Sequence, residues 1–169
     1  MVKIRYDLEK MLFLLQKNAL TTTEVAEKIF SEKYDCIFPE LNIIYGLLDS
    51  KDEFIEEIKN VCSKISINEE KLGKVLVIID KEWWIESLGN IINNENLNYQ
   101  NKIEKIALLW EDVSYPKEWE HFIYYMPTSE KEAVLKDLVV EAQKYIASQK
   151  EDIERIKTIL WNKNNDVDL

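Results

Sequence analysis

Apolar residues recur every three or four positions through most of this chain, the spacing of one buried face on a helix. Ile4, Leu8, Met11, Leu12 and Leu15 form the first stripe, with Lys3, Asp7, Glu9, Lys10 and Lys17 mostly opposite. Residues 18–20 end that helix. Thr21 and Glu24 have capping-box spacing, in which each side chain satisfies a backbone N–H at a new helix start. Val25, Ile29 and Phe30 make the buried side of the helix that follows. Residues 34–38 read as a linker. Pro39 then suits the first turn of a third helix, with Leu41, Ile44 and Leu48 inward. Ser50 and Glu53 repeat the capping signature before a stripe of Phe54, Ile58, Val61, Cys62 and Ile65.

Asn68 caps the next segment, whose middle (KVLVIID, ending at Asp80) is apolar nearly throughout. Such a run reads either as a buried helix or as a buried parallel strand that delivers an acid to a nucleotide. The strand reading requires a glycine-rich phosphate loop, and neither the P-loop nor the dinucleotide fingerprint occurs in the sequence. It also requires sister strands, and no other convincing apolar β run exists. The helical reading places Leu72, Leu76, Ile79 and Trp83 on one face, continued by Trp84, Leu88 and Ile91.

Six asparagines between Asn90 and Asn101 mark a polar loop. Asn101 with Glu104 offers a start for a helix through Ile103, Ile106, Ala107 and Trp110, broken at Ser114, Tyr115 and Pro116. Pro116 begins a short helix with Trp119, Phe122, Ile123 and Met126 on its apolar side, stopped by Pro127. After a third capping box at Ser129 and Glu132, Leu135, Val139, Ala142, Ile146, Gln149, Ile153, Ile156 and Leu160 alternate by four and three. That is a heptad seam, with Gln149 its polar exception. Ser148 and Glu151 mark a point where the helix could restart. The seam packs either inside the domain or against a second copy, and residues 162–169 read as a frayed tail. The expectation is all-α: one domain over residues 1–169, a bundle of about seven to eight helices with a long C-terminal helix.

Composition supports this. Apolar residues are 46% and charged residues 32%, a globular balance, and only three Gly and three Pro leave little of the punctuation that sheets with tight turns need. The net charge of −10 disfavours phosphate backbones and anionic lipid, and it favours cationic protein partners, whose encounter it steers. Cys36 and Cys62 are too few for a disulfide scaffold and match no zinc spacing; Cys62 falls on an apolar face as a small core residue. The start, MVKIRYDLEK, lacks the apolar stretch of a signal peptide, and no run matches a membrane span. A cytoplasmic setting is expected.

Chemistry-bearing residues concentrate in residues 106–127. This stretch holds two of five Trp, three of eight Tyr, two of three Pro and the only His. Its acids are Glu111, Asp112, Glu118 and Glu120, against the single base Lys117. Glu118 and His121 share the spacing of half a di-iron motif, but a full site needs two such pairs and the chain has one histidine. No nucleophile elbow is present, and no metal or cofactor is expected. The 32 acids allow many spatial pairs, so acid/base chemistry gains no support from their number.

Asp112, Tyr115, Pro116, Trp119, Phe122, Ile123, Tyr125, Met126 and Pro127 together resemble the signature of a small uncharacterised bacterial family, a domain of unknown function. The likeness covers residues 70–127; Val113 and Ser114 stand where that family has a second acid–aromatic step, and the tail after Ser129 differs. The resemblance implies a bacterial, helical, cytoplasmic protein, with an immunity-like role beside toxin genes, and assigns no catalytic residue.

These readings converge on a non-enzymatic protein that binds a basic partner, such as a nuclease-type toxin. Its expected surface is Asp112, Tyr115, Glu118, Trp119, Glu120, Tyr124 and Tyr125, aromatic anchors among carboxylates. Two alternatives stand beside it: a structural or regulatory homodimer zipped through the C-terminal seam, and an enzyme with acid/base carboxylates.

Overall fold

A computed structural model describes residues 1–114, 116–119 and 132–162, with side chains of the last helix described from Val134 onward. The α-helices are α1 (Val2–Gln16), α2 (Thr22–Ser31), α3 (Tyr34–Ile37), α4 (Lys51–Lys64), α5 (Glu69–Ile92), α6 (Tyr99–Asp112) and α7 (Glu132–Trp161). Two 3-10 segments, Pro39–Leu47 and Lys117–Trp119, join them among the described residues, which contain no strand. No helix among them is long and apolar enough to cross a membrane.

Local capping chemistry sets several of the starts. Thr21 and Glu24 form the expected box: the Glu24 N–H donates to Thr21 Oγ1 at 3.2 Å, and the Thr21 N–H donates to Glu24 Oε2 at 2.7 Å. Asn68 Oδ1 accepts the Lys71 N–H at 2.7 Å and opens α5. Before α2, the chain turns through Asn18 at φ 55°, a left-handed conformation that asparagine tolerates better than most side chains.

The chain divides into two compact units: Met1–Ile79 with the chain from Leu160, and Asp80–Ile159. In the first, Leu8, Met11, Leu12 and Leu15 of α1 pack with Val25, Ala26 and Ile29 of α2 and Phe54, Ile58, Val61 and Cys62 of α4. Leu41 and Ile44 close this core from the 3-10 segment. Fully burying each Val, Leu, Ile, Phe or Met among them contributes about 1.5–3 kcal/mol. Trp161 meets Tyr6 edge-on, ring centroids 5.6 Å apart. Arg5 holds the carbonyl end of α4: its guanidinium donates to Cys62 O, reaches Ile65 O at 3.4 Å, and pairs with Glu9 at 2.7 Å. A cation at that end meets both unpaired carbonyls and the negative pole of the helix dipole.

In the second unit, Leu88 and Ile92 of α5, Ile103 and Ile106 of α6, Trp119, and Leu135, Val139 and Ala142 of α7 form one core. Lys157 is buried there, bonded to Glu82 and, at 2.8 Å, to Glu154.

Several local expectations change. KVLVIID is helix, but its buried face runs through Val75, Ile78 and Ile79, and Leu76 is exposed. An all-apolar run fixes no helical phase, so the neighbouring packing chose it. Residues 34–38 hold a helical turn rather than a plain linker, and the segment after Pro39 is 3-10 rather than α. Ser50 precedes α4 without a side-chain cap, and α6 is capped by Asn98, not Asn101. α7 is continuous through Ser148 and Glu151. Its buried line shifts from the seam at Ile156, which is exposed, to Lys157.

Candidate functional site

The candidate stretch begins at the end of α6. Asn98 Oδ1 accepts the Asn101 N–H at 2.8 Å and sets the helix start. Lys102 fixes the same end by donating to Ile92 O at 2.6 Å, its ammonium 6.0 Å from the Tyr99 ring centroid. Ile103 and Ile106 then face the core, which leaves Asp112 exposed at the last turn. The helix stops at Val113, whose N–H returns to Leu109 O at 3.0 Å, and Ser114 takes a left-handed φ of 62°. Pro116, which fixes its own φ and has no N–H to place, leads into the 3-10 turn Lys117–Trp119.

Two bonds converge on the Pro116 carbonyl. Trp110 Nε1 donates to it at 3.1 Å and the Trp119 N–H at 3.0 Å. The Trp119 ring is fully buried, and it meets Tyr145 of α7 edge-on with centroids 6.2 Å apart and planes at 73°. The Tyr145 hydroxyl is raised above its ordinary pKa, first by burial; the neighbouring Trp119 indole opposes this and the Glu118 charge adds to it. Glu118 itself is exposed.

The surface expected from sequence therefore divides. Asp112 and Glu118 are exposed acids on either side of Pro116. Trp119 is corrected from surface anchor to core residue: an indole at 0% exposure offers nothing to a partner. Tyr115, Glu120, Tyr124 and Tyr125 lie outside the described residues, as does His121 of the Glu118 pair. Among the described residues no group of three His, Cys, Asp or Glu side chains is arranged to hold a metal. The Trp110–Pro116 and Trp119–Tyr145 contacts had no clear sequence signal beyond the density of aromatics.

Elsewhere, a cleft of about 260 Å³ opens in the first unit, lined by Leu15, Leu20 and Leu48 with Asn18, Thr21, Thr22 and Lys51. Lys51 donates to Asn18 Oδ1 at 2.7 Å, and no carboxylate is among these lining residues. On α7, the seam residues Leu135, Val139, Ala142, Ile153 and Leu160 are buried within the protomer.

Neither a curated protein nor a solved structure matches this chain. A family profile does match, over residues 2–150, which covers most of each unit and the α6–Trp119 stretch. The chain belongs to that family, an uncharacterised protein family conserved in bacteria (DUF2247).

Proposed function

We propose that this protein is a non-enzymatic binder of a basic protein, in the manner of an immunity protein that neutralises a cationic, nuclease-type toxin. The observation that carries the reading is the exposed pair Asp112 and Glu118, set on a corner held by the Pro116 carbonyl and the buried Trp119 ring. Exposed carboxylates form the charged part of such an interface, and the net charge of −10 draws a basic partner toward them. The mechanism is occlusion: the acidic surface covers a cationic active site and competes with its anionic substrate.

The test uses the full chain as bait in extracts of its own bacterium, followed by purification of the protein it retains. Titration at low and high salt then measures the affinity. A basic partner is expected, with binding that weakens as salt screens the charges. Asp112→Lys with Glu118→Lys should lower affinity about tenfold or more while the fold persists. An acidic partner, or binding indifferent to salt, would overturn the reading.

A further inference from the structure

The 3-10 segment Pro39–Leu47 is nine residues long, whereas this geometry rarely persists beyond three or four. Three residues per turn place its side chains in three rows. One row, Leu41, Ile44 and Leu47, packs on the core of the first unit. The other two rows face outward and carry Ile43 at 54% exposure and Tyr45 at 50%. Ile37 ends α3, which packs on this segment, and is also 50% exposed. Gly46 extends the outer surface, with open space where a Cβ would stand. Single exposed apolar residues are ordinary, but three half-exposed large ones within one short stretch are a mark of an interaction site. Tyr45 is also held in place: its ring stacks on Phe30 of α2, centroids 4.4 Å apart and planes at 21°.

The charge around this ridge identifies its occupant. From Asp35 to Glu57 the sequence has seven acids and one base, Lys51; two of those acids are paired from outside the stretch, Glu40 with Lys64 at 2.6 Å and Glu56 with Lys59 at 3.3 Å. Asp49, Asp52 and Glu53, which follow the ridge directly, are exposed. The dipole of α4 accounts for acids in its first turn, but not for the exposed apolar side chains beside them. A second copy would set two such acidic stretches against each other, and phosphate or anionic lipid would be repelled in the same way.

We infer that the ridge Pro39–Leu47, with Ile37, is the apolar anchor of the interface with a basic protein. Ile43 and Tyr45 enter the partner's groove, and the α4 acids form the charged rim. This rests on the reading of the chain as a binder of a basic protein and assigns that partner a contact on the first unit.

A photo-crosslinking side chain placed at Tyr45, at Glu118 or at the exposed control Leu108, each in the full-length protein in its own cells, identifies what touches each position. The captured protein is then purified and titrated against the unmodified chain, Ile43→Lys and Tyr45→Ala. A basic protein captured at position 45 and not at 108, whose affinity falls at least about tenfold with each variant, is the expected result. Because losing the Phe30 stack could loosen α2, a urea midpoint accompanies Tyr45→Ala, and Ile43→Lys stands independently of that stack. Capture of the basic partner from position 118 alone, with full affinity in both variants, overturns the ridge and leaves the binding function intact. Capture of a second copy or of nucleic acid at position 45 overturns the ridge, and the absence of any basic partner at all three positions overturns both readings.

Discussion

Trp110 Nε1 donates to the carbonyl of Pro116 at 3.1 Å, which ties the last turn of α6 to the start of the turn that buries Trp119. The same carbonyl accepts the Trp119 N–H, so removing the indole donor leaves it satisfied. Trp110→Phe should therefore cost only about 0.5–1.5 kcal/mol. Trp119→Ala should cost about 3–5 kcal/mol, because it empties the middle of the second core. Asp112→Ala and Glu118→Ala, both on exposed positions, should stay within about 0.5 kcal/mol. Urea denaturation of the four variants separates the corner's core from its surface.

Arg5 carries a similar arrangement in the first unit, across 57 residues of sequence from its Cys62 carbonyl acceptor. Arg5→Met should destabilise by about 2–4 kcal/mol, since it strands the half-buried Glu9 carboxylate and exposes the end of α4. Adding Glu9→Gln should recover part of that loss, because the stranded charge goes with it. A double-mutant cycle in urea measures the coupling; strict additivity would show that the pair contributes nothing.

The alkaline limb of stability follows from two buried acids. Burial, reinforced by Glu9 and opposed by Arg5, pushes the Cys62 thiol from an ordinary 9.0 up to about 12. Tyr34 is raised as well, by burial first and then by its hydrogen bond to Asp7. In the unfolded chain the thiol ionises near 9, while the folded protein keeps its proton. Unfolding thus releases a proton between pH 9 and about 12, and stability falls as pH rises through that window. The slope is about 1.4 kcal/mol per pH unit for each such group. Urea midpoints across this range should decline less steeply in Cys62→Ala. In the native protein at neutral pH, a thiol reagent should label exposed Cys36 and reach Cys62 only after denaturant is added.

What the sequence reveals divides by range. The Thr21–Glu24 box is legible because both partners sit within one turn. The stripe from Phe54 to Ile65 is legible because its apolar residues stand singly or in pairs, separated by two polar residues each time. The face of α5 is not, since Val75, Leu76, Val77, Ile78 and Ile79 are all apolar and only tertiary packing decides that Leu76 and Val77 remain in water. Arg5 on the end of α4 is illegible for a related reason: its acceptors are backbone carbonyls, which have no sequence identity. At the candidate site, the density of aromatics and acids drew attention to the stretch after α6. It could not say that Trp119 turns inward while Glu118, one residue before it, turns out.

The heptad seam gives the sharpest contrast between pattern and packing. Periodicity runs Ile153, Ile156, Leu160, whereas the buried line runs Ile153, Lys157, Leu160. The lysine is retained there because Glu82 and Glu154 both bond its ammonium. Burial alone would lower its pKa; the two carboxylates more than offset this and hold it above its ordinary value, so the cation persists at neutral pH. Lys157→Met should therefore destabilise by about 2–4 kcal/mol, because it leaves Glu82 charged in a largely buried place. Lys157→Met with Glu82→Leu should regain most of that loss, as apolar replacements of a buried pair commonly do. Ile153→Ala should cost about 2–4 kcal/mol and Ile156→Ala under about 1 kcal/mol, in keeping with their burial and exposure. Equal costs at Ile153 and Ile156 would restore the regular seam and remove the inward role of Lys157.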